Sequence, residues 1–254
     1  MLAMTLLGVG TGVPDRDREN THMVWESPEG LLLIDAGGST YQRLLRAGLD
    51  PAQLHGIVLT HSHADHLNGL PGLLFSLRLS GFQQRLTIYG NAPTLALAQR
   101  ILNAFELESY NAATDWVVVE AGDSLPLATP SFRVRTALTQ HSRPCLALRF
   151  ESAATGLALT YSADTEPCPA VADLAAGSQI LIHEATTPDP FPGHTSPAQV
   201  GAIAHQARVA QLVLVHFSPH WTMPIDQAIA AVHAAGFTGH AEVGQEFGRY
   251  LLEA

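Results

Sequence analysis

Short apolar runs bounded by glycine, proline and acidic residues recur along the chain, and they predict strands. They are MTLLGVG at 4–10, LLLIDAG at 31–37, GIVLT at 56–60, RLTIYG at 85–90, WVVVEAG at 116–122 and FRVRTAL at 132–138. CLALRFES at 145–152 and GLALTYS at 156–162 follow, joined by a short AAT loop, and read as a tight hairpin. QILIHEA at 179–185, QLVLVHFS at 211–218 and HAEVG at 240–244 complete the set. Helical patterns lie between them. STYQRLLRAG runs from Ser39, a candidate N-cap, to Gly48. APTLALAQRILNAFE, PAVADLAAG, SPAQVGAIAHQA and PIDQAIAAVHAAG are the others, with Ser196 as cap and Pro197 in the first position of the third. Strands interleaved with helices suit an α/β fold of stacked sheets flanked by helices. No repeat, low-complexity tract or linker interrupts the pattern, so one domain over residues 1–254 is expected.

Five of the strands end on ionisable residues: Asp35, His61, Asp164, the pair His183 and Glu184, and His216. Ligands of layered α/β folds gather beyond the carboxyl ends of strands. One such residue is an ordinary loop entry, but five together suggest a shared site at one edge of the sheets.

Composition narrows the partners. Hydrophobic residues make up 46% of the chain and charged residues only 14%, which excludes a disordered chain. No apolar run reaches the ~18–20 residues of a membrane span. The first ten residues lack the basic start and length of a secretory signal, and they read as a strand, so a cytoplasmic location is expected. All 13 basic residues are arginine, scattered in sequence, and the net charge is −10. That balance disfavours nucleic acid as a partner. Cys145 and Cys168 form no disulfide framework and read as core or loop residues.

The chemistry concentrates in THSHADHLNGL at 60–70. His61 and His63 are two apart, so in extended backbone they point the same way and can clamp one ion. Asp65 and His66 are adjacent, point elsewhere, and can serve a second ion. Imidazole and carboxylate suit zinc and similar divalent cations. The set has no cysteine and is too rich for one closed structural zinc site.

These residues resemble the metallo-β-lactamase superfamily over nearly the whole chain. The resemblance implies a four-layered αββα sandwich with a dinuclear site at one edge. It matches His141 in TQHSRP, Asp164 in YSADT and His216 in VLVHFS to the family's later ligands. The implied allocation is one ion on His61, His63 and His141 and another on Asp65, His66 and His216, with Asp164 bridging. Zinc is the expected metal, with manganese the other candidate. Many of the β-lactamases carry cysteine where Asp164 stands, which speaks against the antibiotic-hydrolysing branch.

LGVGTGVP at 7–14, HEAT at 183–186 and GHTS at 193–196 look like the ribonuclease Z branch, which also holds arylsulfatase-like members and a cyclic phosphodiesterase of the carbon–phosphorus lyase pathway. The resemblance implies that Glu184 orients His194 and that His194 donates a proton, with Asp65 also catalytic. HTS in place of the branch's HST keeps the histidine in register. Members of the branch that process tRNA carry an arm between the positions matched by His141 and Asp164. Here residues 142–163 are filled by the predicted hairpin, leaving none for an arm.

The expected activity is therefore hydrolysis of a small phosphodiester, cyclic or nucleotide-like, through a hydroxide held between two ions. The same site would serve an ester, lactone or aryl-sulfate hydrolase, or a tRNA 3′-processing endonuclease. A non-catalytic metal-binding module and a redox di-iron protein fit the ligand set less well. A homodimer is a fold-level expectation. Asp35 is balanced between orienting a ligand histidine and simply turning the chain. His183 reads as structural, and His22 and His220 as surface residues or pocket lining. His55, His205, His233 and His240, in helical or turn contexts, read as non-ligands. GVGTG at 8–12 lacks the lysine and apolar helix of a nucleotide loop and reads as a strand-to-turn segment.

Overall fold

The computed structural model describes residues 1–107, 111–127 and 129–253. Among them, β1 (Ala3–Gly8), β2 (His22–Ser27), β3 (Gly30–Ile34), β4 (Leu54–Leu59), β5 (Leu86–Gly90) and β6 (Thr114–Val118) pair in sequence order. β13 (Arg249–Leu251) joins them outside β1 to make a 7-stranded sheet. The second sheet has 6 strands. It runs from β7 (Phe132–Leu138) through β8 (Leu146–Ser152), β9 (Ala158–Tyr161), β10 (Ile180–Glu184) and β11 (Gln211–Val215) to β12 (His240–Val243). Strands β3 to β6 are mutually parallel, and so are β9 to β12.

Side chains alternate across a strand, so each sheet feeds two cores. Leu32 and Ile34 join Trp25, Phe150, Tyr161 and Ile182 between the sheets. There Trp25 stacks on Phe150 with centroids 4.7 Å apart. Leu31 and Leu33 face the other way, toward α1 (Thr40–Arg46), α3 (Leu70–Leu79) and α4 (Ala92–Ala104). Leu181, Leu212 and Leu214 likewise pack on α5 (Pro169–Ala175), α6 (Pro197–Ala207) and α7 (Ile225–Ala234). The result is the expected αββα sandwich. No described helix is long and apolar enough to cross a membrane.

Every strand expected from the pattern is present, with ends shifted by a few residues. The pattern missed β2, in which His22, Glu26 and Ser27 interrupt the apolar run, and β13, three residues held at an edge. It also missed α2 (Ala64–Leu67) and α3, which follow the histidine motif. Ser196 caps α6 through a full capping box with Gln199. Ser39 makes no capping bond, and its hydroxyl turns to Glu19 instead. His55 and His240 lie on strands, not in helices or turns. Cys145 and Cys168 are buried free thiols.

β8 and β9 form the predicted hairpin, closed by Ser152 N–H donating to the Leu157 carbonyl at 2.9 Å. The arginines are less scattered than the sequence suggested. Arg16, Arg18, Arg43 and Arg46 line one cavity, where Asp15, Asp17, Glu19 and Glu246 offset them.

Candidate active site

The carboxyl ends of the two parallel runs meet at one edge, and the site is built there. β3 delivers Asp35, β4 leads through Thr60 to His61, and the turn of α2 carries Asp65 and His66. β9 leads to Asp164, β10 ends on Glu184, and β11 leads to His216. Three residues here hold the left-handed backbone conformation without being glycine: Asp35 (φ 59), Ala163 (φ 50) and His216 (φ 64). Such a conformation costs roughly 1–2 kcal/mol per residue, and it clusters where function imposes the backbone. Close contact between the strand ends and α2 needs glycine. A Cβ on Gly37 would lie 2.5 Å from the Asp65 carbonyl oxygen, and one on Gly69 would lie 2.4 Å from that of Gly38.

Two groups of side chains converge. His61 Nε2 and His141 Nε2 lie 3.0 and 3.1 Å from His63 Nδ1. Asp65 Oδ2 lies 3.4 Å from His66 Nε2 and 3.6 Å from His216 Nε2. Asp164 Oδ2 stands between the groups, 3.7 Å from the Nε2 atoms of both His61 and His66, 3.9 Å from that of His141 and 3.4 Å from that of His216. One carboxylate oxygen facing four imidazole nitrogens is the placement a bridging ligand needs.

A second layer of hydrogen bonds sets which ring nitrogen faces inward. Asp35 accepts from His66 Nδ1 at 2.7 Å and from the Thr60 hydroxyl at 2.8 Å, and that hydroxyl accepts from His61 Nδ1 at 3.1 Å. Glu184 repeats the device. It accepts from His194 Nδ1 at 3.0 Å and from the Thr186 hydroxyl at 2.7 Å, and that hydroxyl accepts from His216 Nδ1 at 2.8 Å. Each buried carboxylate thus holds one imidazole directly and a second through a threonine. His141 Nδ1 donates to the Gly193 carbonyl at 2.8 Å. In every case the outer nitrogen has a hydrogen-bond acceptor, which turns the other ring nitrogen inward.

Burial, reinforced by neighbouring imidazoles, holds His61 well below the usual histidine range and lowers His63 too. Neutral imidazole is the form that binds a metal. Burial opposes ionisation of Asp65 and Asp164, but facing histidines outweigh it and keep both well below the carboxylate range. Burial also works against a charge on His194, yet the Glu184 hydrogen bond and charge prevail and raise its pKa. For His66 the Asp35 and Asp164 charges win in the same way.

The arrangement fits divalent cations. His66 Nε2, His216 Nε2 and Asp164 Oδ1 are buried without any hydrogen-bond partner. Orphaned atoms of this kind are costly unless something else, such as a cation, satisfies them. Ligand atoms of His61, His63, His141 and Asp164 lie within 4.8 Å of one another, and so do those of Asp65, His66 and His216. The donors are nitrogen and oxygen only, a set that suits zinc.

Every residue expected at the site is there. Asp35 proves to orient His66 and, through Thr60, His61, so its turn position and its bonding role coincide. His183 is buried and its ring bonds the Glu184 carbonyl. His220 lines the cavity over the site, whereas His22 is neither surface nor lining. It is fully buried, with Nδ1 on the Asn20 carbonyl, and burial pushes its pKa down to about 4. The sequence reading overlooked Thr60, Thr186 and Phe191. The threonines directly precede or close the motifs THSHADH and HEAT, a signal available in the sequence. Phe191 carried none.

The beta-lactamase superfamily domain model matches residues 31–217, which hold every metal-ligand candidate. Among curated relatives, ribonuclease Z of Mycobacterium marinum is 27% identical, with all of both chains covered. Among solved structures, the metallo-beta-lactamase fold protein YhfI of Bacillus subtilis superposes with TM-score 0.82 at 22% identity, covering 98% of each chain. The short form of human tRNase Z gives 0.79 at 22%, covering 99% of this chain and 100% of that one. A diphosphatase of the PhnP family gives 0.76 at 19%, covering 100% and 98%. The clustered ligands, the fold and the extent of the family match agree: the chain belongs to the beta-lactamase superfamily domain family, as a metal-dependent hydrolase similar to ribonuclease Z.

Proposed function

We propose that the protein is a phosphodiesterase that hydrolyses a small phosphodiester with two divalent cations, zinc being favoured by the donor set. The observation that carries this reading is the shared cavity. About 470 Å³ in volume, it is lined by residues of both ligand groups and by His194. Small-molecule sites fall in this size class. His61, His63 and His141 would hold one cation and Asp65, His66 and His216 the other, with Asp164 between them. When bound, the pair supplies charge neutralisation at the phosphoryl oxygens and lowers the pKa of an attacking water to near neutrality. The protein residues do the rest. Asp65 presents a carboxylate to the cavity and can orient that water by accepting its hydrogen bond. Glu184 favours the imidazolium form of His194, so Nδ1–H stays on Glu184 while Nε2–H is free to protonate a departing alkoxide, leaving the ring neutral.

RNA is the second reading, and the names of relatives favour it. The expectation that nucleic acid is disfavoured runs against those names. The compact β8–β9 hairpin and the net charge of −10 support the small substrate. Metal-loaded protein incubated in parallel with bis(p-nitrophenyl) phosphate and with precursor tRNA separates the two. We expect turnover of the first only. Efficient, site-specific 3′ cleavage of the tRNA overturns the small-substrate reading.

A further inference from the structure

Phe191 stands out in the cavity. It is 57% exposed, and of the cavity-lining residues it alone has a large apolar side chain. The others are glycine or carry a hydroxyl, an imidazole or a carboxylate. Single exposed apolar side chains are ordinary, but this one lines the cavity that holds the candidate ligands, so a ligand entering that cavity can cover its ring.

The backbone that carries the ring is anchored. Its loop joins β10 to α6, and His194 N–H donates to the Phe191 carbonyl at 3.1 Å. Two residues on, Gly193 (φ 84) is pinned from both sides. Its N–H donates to Glu166 at 2.8 Å, and its carbonyl accepts from the ligand candidate His141 at 2.8 Å. On that backbone the Phe191 ring stands beside His194, their planes within 23° of parallel and their centroids 6.5 Å apart. A flat group lying against Phe191 sits next to the imidazole that faces the leaving group. Aromatic faces accept nucleobases and aryl rings by stacking, with little preference for their hydrogen-bonding edges.

We propose that Phe191 is a specificity residue that stacks a flat ring, a nucleobase or aryl group, carried by the phosphodiester. The inference rests on the phosphodiesterase reading and narrows its substrate class from any small phosphodiester to nucleoside and aryl phosphodiesters. Phe191 takes no part in proton transfer, so its effect falls on binding.

The test is calorimetric binding of adenosine 5′-monophosphate and ribose 5-phosphate to metal-loaded protein, wild type against Phe191→Ala, Phe191→Leu and Phe191→Trp. Turnover of bis(p-nitrophenyl) phosphate and sedimentation are followed in parallel. Wild type is expected to prefer the nucleotide. Phe191→Ala should weaken nucleotide binding about five- to a hundredfold while ribose 5-phosphate stays within about twofold. Phe191→Leu should resemble Phe191→Ala, and Phe191→Trp should keep the preference. Equal loss of both ligands means the residue only shapes the loop, and overturns the proposal. So does a wild type that binds both ligands alike. A drop in sedimenting mass on Phe191→Ala places the ring in a contact between copies of the chain, and overturns it as well. If wild type prefers the nucleotide but hydrolyses no phosphodiester, the phosphodiesterase reading falls and the stacking role stands.

Discussion

Thr186→Val tests how the second layer of the site supports the first. Valine keeps the shape of threonine, and the residue is only 7% exposed, so packing is preserved. What disappears is one hydroxyl that serves three neighbours: Glu184 at 2.7 Å, His216 Nδ1 at 2.8 Å and His194 Nδ1 at 3.2 Å. Glu184 keeps other donors, the backbone N–H of Thr186 at 3.1 Å and of Thr165 at 3.0 Å. His194 keeps Glu184. The His216 Nδ1–H, by contrast, is left buried with no acceptor, a defect of about 1–3 kcal/mol. The ring loses the contact that aims Nε2 at Asp65 and Asp164. Loss of such a partner lowers metal affinity about 10–100-fold, the same scale of free energy. The effect should be confined to one ion, because His61 depends on Thr60 and Asp35, His141 on the Gly193 carbonyl, and His63 has Ser142 Oγ at 3.4 Å, none of which involves Thr186. Chelator competition on fully loaded protein reads this directly. We expect one ion to be released at lower chelator concentration and the other to be unaffected, with Thr186→Ser restoring both. Two affinities within about twofold of wild type, or an equal loss of both, refute the reasoning.

Three further outcomes follow from the same geometry. Asp164→Ala removes the oxygen that faces four imidazoles, so metal content should fall at both positions; elemental analysis showing two ions retained at full affinity defeats the bridging assignment. His194→Ala should keep both metals yet slow hydrolysis by about 10²–10⁴ for alkyl leaving groups, and by much less for nitrophenolate, which leaves without a proton. Equal losses for both leaving groups remove the general-acid role. His22, pushed by burial from 6.5 down to about 4, takes up its proton later than the unfolded chain does as pH falls. Its contribution is therefore intact above about pH 6.5 and is lost progressively toward pH 4, by up to about 3 kcal/mol. Denaturant titrations across that window should show a flatter acid limb for His22→Leu, and parallel limbs would show that His22 does not titrate there.

Stacked sheets flanked by helices were legible because the strands are short, apolar and separated by breaks, and the family resemblance made them an αββα sandwich. Even the two-sided burial can be followed along LLLI at 31–34, where alternate leucines enter different cores. The candidate ligands were legible for another reason. HSHADH is compact, and its more distant partners His141, Asp164 and His216 follow from the family resemblance, with Asp164 and His216 also standing just past apolar runs. β2 was obscured by the polar residues it carries, and α3 by leucines too dense to show a helical face.

Strand and helix patterning therefore determined an α/β fold of stacked sheets, HSHADH determined the metal chemistry, and the resemblance carried by the motifs supplied the four layers and the remaining candidate ligands. Only the tertiary structure decided how these residues cooperate. Asp35 reads equally well as a turn residue or a support until β3 and β4 pair and bring His66 and Thr60 to its two oxygens. Thr186 is an ordinary threonine until parallel pairing of β10 with β11 sets His216 beside it. Phe191 is one more apolar loop residue until the anchored Gly193 presents its ring to the cavity. The physical reason is range. Strand and helix patterns arise from neighbours a few residues apart, whereas a hydrogen bond or a cavity wall is set at the ångström scale by residues far apart in the chain, whose meeting depends on how the two sheets pack.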